Sequence, residues 1–360
     1  MTNTALATGW RGIIEEFRDQ LPVTDATPVI TLCEGGTPLL YAPRLSQRTG
    51  CEVYLKVEGA NPTGSFKDRG MTLAVSKAVE AGATGLLCAS TGNTAASAAA
   101  YAVRAGIACA VLLPKGAVAP GKVAQALAYG AQILEVEGTV DDCLRLSIEL
   151  AANYPVALVN SVNPHRIAGQ KTASFEIVNE MGEAPAAHFL PVGGAGNITA
   201  YWQGYNQAHE LGWASSRPAM CGFQAAGSAP IVSGSPVTNP QTVATAIRIG
   251  NPASWRSAVN ARDESGGLIS AVTDEQILAA HTMLSREEAV FVEPASAAGV
   301  AGLLAISAAG GTEAERLRGQ TVVCTVTGNG LKDPEWAVRA APPSITVAAD
   351  AKAVATALGL

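Results

Sequence analysis

The sequence predicts an α/β protein built on parallel sheets, and three observations carry that reading. Short apolar runs bounded by Gly, Pro or polar residues alternate with longer runs of helical spacing, the order that strand–helix–strand units impose. The chain has 360 residues, enough for a large core and for two domains sharing a cleft. Hydrophobic residues make up 48%, charged ones 15%, and there are 37 glycines, which suits a folded α/β chain rather than a disordered one.

In order, the first strands are expected at Val53–Val57, Leu86–Ala89, Ala108–Leu113, Gln132–Val136 and Val156–Val159. Helices are expected between them at Lys67–Ala81, Thr94–Ala105, Ala119–Tyr129 and Val140–Asn153, and later at Ile167–Met181. Further strands are read at His188–Val192, Ala219–Gln224, Val290–Glu293 and Thr321–Val326. Gln207–Pro230 and Ser233–Ala258 are rich in Gly, Pro, Ser and Asn and read as long connections beside the cleft. The Ala-rich tail from Pro342 to Leu360 has weak patterning, an arm or a poorly ordered end. In parallel sheets of this kind, ligands sit at the C-terminal ends of the strands.

The bulk properties exclude several classes. A net charge of -6 argues against nucleic acid and anionic membrane surfaces, so an anionic ligand needs a local cluster of donors. With four His, no H-x-x-x-H and no Cys/His cluster, no metal site is expected. Seven scattered cysteines without a C-x-x-C pair read as buried thiols in a reducing compartment. Met1–Trp10 lacks a basic region followed by an apolar core, so no signal peptide is read there, and a cytoplasmic location is the default.

Four segments carry chemistry. In Asn61-Pro-Thr-Gly-Ser-Phe-Lys-Asp-Arg-Gly70, Pro62 and Gly64 mark a turn, and Ser65 is a good N-cap for a helix that Met71–Val79 continues. Lys67 then lies at a helix start, where the dipole favours its neutral amine, the form that attacks an aldehyde. Pro191-Val-Gly-Gly-Ala-Gly-Asn197 follows a strand and opens a helix from Ile198 to Glu210. Its backbone N–H groups suit a phosphate, although a tight strand-to-helix turn uses glycines for the same reasons. It is neither a Walker loop nor a G-x-G-x-x-G fingerprint. Ser90-Thr-Gly-Asn-Thr94 closes a strand and starts a helix, and Thr325-Val-Thr-Gly-Asn-Gly-Leu-Lys-Asp333 ends the last strand. Capping explains one polar residue of the first, not four in succession.

These segments, in this order and with Gly36-Thr-Pro-Leu39 near the start, resemble the fold type II enzymes that use pyridoxal phosphate, with similarity from about Thr31 to Pro334. Within them the Asp after the lysine, the G-G-A-G-N turn and Thr327 look like the shorter bacterial threonine synthase family. The resemblance implies two open, twisted, mostly parallel sheets flanked by helices, as in the tryptophan synthase β fold, with the cofactor in the cleft. The smaller α/β domain would be residues 61–160, inserted in a larger one of 1–60 and 161–345, with 346–360 as a tail. A homodimer is expected.

It also implies the site. Lys67 would carry pyridoxal phosphate and move the Cα and Cβ protons. Gly193, Gly194, Ala195, Gly196 and Asn197 would cup the cofactor phosphate. Asn93 would reach the ring oxygen, and Thr327 would hydrogen-bond the ring nitrogen without keeping it protonated, which suits eliminations. Ser90, Thr91, Gly92, Asn93 and Thr94 would hold the substrate carboxylate. Asn160, Ser161 and Arg166, in the N-S-x-N-x-x-R stretch, would hold the substrate phosphate, a task for which a forked guanidinium is suited. The implied reaction turns O-phospho-L-homoserine and water into L-threonine and phosphate. Arg69, Lys115 and Lys171 are further candidates, His165 reads as structural or exposed, and Glu293 has no assigned role. The alternatives are a threonine or serine ammonia-lyase of the same fold, a homologue that binds the cofactor without turnover, and an NAD-binding or nucleotide-binding protein.

Overall fold

The computed structural model describes residues 9–90, 92–116, 120–161, 163–339 and 341–360. Among them ten strands form two sheets. The strands are β1 (Leu39–Tyr41), β2 (Glu52–Val57), β3 (Gly85–Cys88), β4 (Ala108–Pro114), β5 (Gln132–Val136), β6 (Val156–Leu158), β7 (Ala187–Pro191), β8 (Ala219–Ala225), β9 (Leu268–Val272) and β10 (Thr321–Val326). One sheet runs β5-β4-β3-β6 and the other β1-β2-β10-β7-β8-β9. All pairings are parallel except β1 with β2.

The sequence explains the layering. β7 and β8 read AHFLP and AMCGFQA, and every residue of both is buried, as a parallel strand covered on two faces requires. The helix Ala298–Ala309 lies on this sheet, and its small residues let it come close. A Cβ on Gly299 would lie 2.9 Å from the Leu190 backbone nitrogen. In the other sheet the edge strand β5 keeps only half-buried and exposed residues, whereas all of β3 is buried at the centre.

The structure departs from the expected elements in six places. Val290–Glu293 is no strand: it makes one isolated bridge, Val292 to Asn329, before Pro294 opens a short 3-10 turn. The helix expected over Ile167–Met181 is two, Pro164–Gln170 and Thr172–Met181, broken at Lys171. The first of these presses so closely on the helix Lys67–Glu80 that a Cβ on Gly169 would lie 2.1 Å from the Arg69 carbonyl oxygen. β1 and β9 were not expected, since each is a short edge strand of three to five residues. The connection Ser233–Ala258 contains a 3-10 turn at Thr245–Ile247 and the start of a helix at Trp255, and the tail folds as an exposed helix, Ala351–Leu358, capped by Asp350. No single helix among the described residues is long and apolar enough to cross a membrane.

A buried charge cluster locks the start of the helix Lys67–Glu80. Arg69, 1% exposed, donates to Glu58 at 2.7 and 2.8 Å, to Glu176 Oε2 at 2.7 Å and to Thr37 at 3.1 Å. Lys56 adds a 2.9 Å ion pair to Glu176. Burial disfavours the Glu176 carboxylate, yet Arg69 and Lys56 outweigh it and hold its pKa at about 2. The cluster's stabilisation is therefore complete above the ordinary carboxylate range and is lost as pH falls toward about 2. Arg69→Met takes the shared guanidinium from two buried carboxylates, and a loss of about 3–5 kcal/mol is expected in denaturant titration. An unchanged midpoint would show that the cluster contributes nothing.

Candidate active site

The loops at the C-terminal ends of β3, β6, β7 and β10 surround a cavity of about 510 Å³. Lys67, Ser90, Gly92, Asn93, Thr94, Asn160, Ser161, Arg166, Gly193, Gly194, Ala195, Gly196, Asn197 and Thr327 all line it. Thr91 lies outside the described residues.

Lys67 is the first residue of its helix; Phe66 rather than Ser65 holds the N-cap position, although the Ser65 hydroxyl accepts from the Lys67 N–H at 3.4 Å. Ser65 also bridges to Gly328, and the N–H of Phe66 donates to the Thr327 carbonyl at 3.0 Å. These bonds sew the lysine turn to the end of β10. Asp68, buried, accepts from the Thr63 N–H and hydroxyl at 2.7 and 2.6 Å and from the Ser97 hydroxyl at 2.6 Å. It thereby ties the lysine turn to the helix Asn93–Ala105. The Lys67 amine lies over the Phe66 ring, 4.1 Å from its centre. Burial first, and the like charge of Arg166 second, lower its pKa from 10.5 to about 7, against the opposing pull of Glu293 and Cys88. The amine is thus drawn toward its neutral form for a different main reason than a helix dipole.

The glycine turn supplies an anion cup. Ala195 takes a left-handed conformation, φ 66°, as the N-cap of the helix Gly196–Glu210 and makes no side-chain cap, so the first N–H groups of that helix stay open to the cavity. A Cβ on Gly193 would lie 2.8 Å from the Ile247 Cα, so the Thr245–Ile249 segment closes over the turn. Asn197 is buried, and neither its amide oxygen nor its amide nitrogen has a partner among the described residues. Gly193→Ala is expected to push these two segments apart and weaken cofactor retention at least tenfold, measured by equilibrium dialysis; unchanged retention would remove the turn from the cup.

Arg166 is 1% exposed and pairs with no carboxylate among the described residues. Its Nη1 donates to the Val159 carbonyl at 3.3 Å, while its Nε finds no acceptor there. Burial lowers its pKa to about 10. A buried guanidinium without a counter-ion is costly unless an anion is brought to it. Asn160 behaves differently from Ser161 and Arg166. Its amide accepts from the Ala89 N–H at 2.9 Å and donates to the Ala89 carbonyl at 3.1 Å, which pins the Ser90 loop to β6 and leaves one amide hydrogen over. The Ser90 hydroxyl accepts from the Gly92 N–H at 3.3 Å, and Asn93 donates to Glu293.

Thr327 is buried, 3.0 Å from the Ser296 hydroxyl. Ser296 also accepts from the Gly328 N–H at 2.8 Å, clamping the turn. Sequence reasoning missed Ser296, the Thr245–Ile249 wall and Gln170, whose amide oxygen is buried without a partner among the described residues. Only the E-P-A-S stretch after Val292 hinted at Ser296; the wall sits in a Gly/Pro-rich connection that carries no periodic signal. Arg69 belongs to the charge cluster, Lys115 pairs with Glu137 at the surface, and His165 is part-buried with its backbone N–H bonded to Asn163. No group of three or more His, Cys, Asp or Glu among the described residues is placed to hold a metal.

Residues 30–328 match the family described as pyridoxal-phosphate dependent enzyme, which defines the class. The residues present fit that cofactor: a buried amine drawn toward its neutral form for its aldehyde, an open helix N-terminus and a buried unpartnered Asn197 for its phosphate, and a Thr hydroxyl just after the end of β10. The chain is 60% identical over 353 residues to a threonine synthase of Mycobacterium leprae, covering 98% of this chain and 97% of that one. It is 57% identical to a threonine synthase of Synechocystis, over 92% of this chain and 85% of that one. Among solved structures, a threonine deaminase from T.th. superposes with a TM-score of 0.70 at 29% identity, covering 84% of this chain and 96% of that one. A maize serine racemase, at 21% identity and TM-score 0.71 over 89% and 94%, shares the fold. The chain belongs to the threonine synthase family.

Proposed function

We propose that this protein converts O-phospho-L-homoserine and water into L-threonine and inorganic phosphate. One observation carries the reading: the buried, uncompensated Arg166 lines the same cavity as the neutral amine of Lys67 and the anion cup at Gly193–Asn197. One cavity then offers two places for phosphate, one for the cofactor and one for the substrate. Lys67 would hold pyridoxal phosphate through its neutral amine. When bound, the cofactor supplies a ring that delocalises negative charge from the substrate Cα.

The Lys67 amine would remove the Cα proton and then a Cβ proton, a task for which a pKa near 7 is well matched. Arg166 and Ser161 hold the substrate phosphate and stabilise its charge as the Cγ–O bond breaks. Asn160 keeps the Ser90 loop in place, so that Ser90, Gly92 and Thr94 present donors to the substrate carboxylate, with Thr91 beside them in sequence. Thr327 would offer the ring nitrogen a hydroxyl rather than a carboxylate. Protonation at Cγ, addition of water at Cβ and return of a proton to Cα complete the product.

The reading uses a smaller α/β domain, residues 61–160, inserted in a larger one of 1–60 and 161–345, with 346–360 as a tail. Confinement of one sheet to the strands between Gly85 and Leu158 supports it. A cytoplasmic location is supported by the cysteines, all unpaired and six of seven buried. A homodimer is part of the same reading, on the general preference for two-fold assemblies, and sedimentation tests it. The reaction itself is tested by product analysis. Equal release of threonine and inorganic phosphate supports the reading; 2-oxobutyrate formed from threonine, with no phosphate release, would move the protein to the ammonia-lyases.

A further inference from the structure

We propose that Glu293 is a positioning residue, holding the Asn93 side-chain amide across the cavity with Nδ2 turned to its carboxylate and Oδ1 turned away. The inference deepens the function proposed above and rests on it. Asn93 opens the helix Asn93–Ala105 on the side of the four-stranded sheet. Glu293 comes from the other side of the cavity, just before the turn Pro294–Ala297. Glu293 is 5% exposed, and both its oxygens accept from Asn93 Nδ2, at 3.0 and 3.1 Å. An ionised carboxylate only accepts, so a flipped amide would set oxygen against oxygen. Burial raises the Glu293 pKa against the lowering pull of the Asn93 bonds and the Lys332 and Lys67 amines, and in its ionised form the carboxylate fixes which end of the amide faces it.

Glu293 is itself rigidly held. Its N–H donates to the Gly328 carbonyl at 3.0 Å, and its carbonyl accepts from the Ser296 N–H at 2.9 Å. Its carboxyl group fills the space beside Gly328, where an added Cβ would lie 2.5 Å away. The T-G-N-G turn is thus a glycine turn at this point because the carboxylate needs the room. Around the carboxylate lie the amines of Lys67 and Lys332 and the carboxylate of Asp333. Lys332 reaches across the cavity to Gln125, so a second contact joins the same two sides. Two consequences follow for a bound cofactor. Asn93 would meet the ring oxygen with one amide hydrogen already committed, and the ionised Glu293 carboxylate would place a negative charge near the Lys67 nitrogen.

The test uses cofactor-loaded protein and the variants Glu293→Gln, Asn93→Asp and the two combined. In Glu293→Gln the amide at 293 can present oxygen or nitrogen, so Asn93 loses its fixed orientation, and the charge near Lys67 is gone. The pH at which the visible absorbance of the lysine-bound cofactor is half lost is expected to fall by about one unit. kcat/KM is expected to fall roughly tenfold. Asn93→Asp sets two carboxylates together and loses more; the combined variant restores a donor–acceptor pair and recovers part of the loss. A Glu293→Gln protein with wild-type titration and wild-type kcat/KM would overturn the proposal, as would a combined variant no better than Asn93→Asp alone. The titration needs no amino-acid substrate. A wild-type protein that releases no phosphate would therefore defeat the proposed function while the absorbance shift still decides the role of Glu293.

Discussion

Replacement of Lys67 by alanine is expected to abolish turnover and the visible absorbance of lysine-bound cofactor together. The amine is a nitrogen nucleophile set at the start of a helix in the cavity, and its neutral form is ready near pH 7. Burial and the neighbouring Arg166 both disfavour the ammonium, so the cost of deprotonation has been met by the fold before any ligand arrives. The sign can be checked directly. In cofactor-free protein, labelling of Lys67 by an aldehyde reagent should rise with a midpoint near pH 7, where an ordinary lysine would remain protonated. A Lys67→Ala protein that keeps either the absorbance or the turnover would remove this residue from the chemistry.

Arg166→Met carries the second large effect, and its parts point in different directions. Loss of the guanidinium removes a charged donor from the substrate phosphate, so kcat/KM should fall by roughly 10²–10³. Cofactor retention should change little, because the cup at Gly193–Asn197 is built from other residues. Thermal stability of the ligand-free protein should hold or rise, since Arg166 is a buried cation with no counter-ion among the described residues and an unpartnered Nε. The Lys67 labelling midpoint should move above pH 7, because one of the two influences lowering it is gone. Loss of the cofactor instead would mean that Arg166 serves the cofactor phosphate.

Much of the site was legible in the chain because its groups sit in short contiguous segments. The S-F-K-D, S-T-G-N-T, G-G-A-G-N and T-G-N-G stretches each end a strand or open a helix, and parallel sheets bring such ends to one edge. Several strands were readable for a related reason: the edge strand β5 and the internal strand β10 are apolar or alternating runs with sharp boundaries, and their limits match the expected ones. What could not be read was pairing across the cavity. Glu293 was expected at the end of a strand, yet Pro294 denies that segment a ladder, and its importance comes from Asn93, two hundred residues earlier. Asn160 was expected on the substrate phosphate through the resemblance of its N-S-x-N-x-x-R stretch; that its amide also holds Ala89 is a contact only the fold reveals. The cause of the lowered Lys67 pKa was likewise out of reach, since burial and the approach of Arg166 exist only in the folded chain.

The central claim is that one cavity breaks the Cγ–O bond of a phosphate ester and puts the oxygen of water on Cβ. Turnover of O-phospho-L-homoserine in heavy-oxygen water tests it most directly, with both products analysed by mass spectrometry. The label should appear in the hydroxyl group of threonine and be absent from the phosphate. Label in the phosphate, with homoserine as the other product, would show attack at phosphorus and contradict the account.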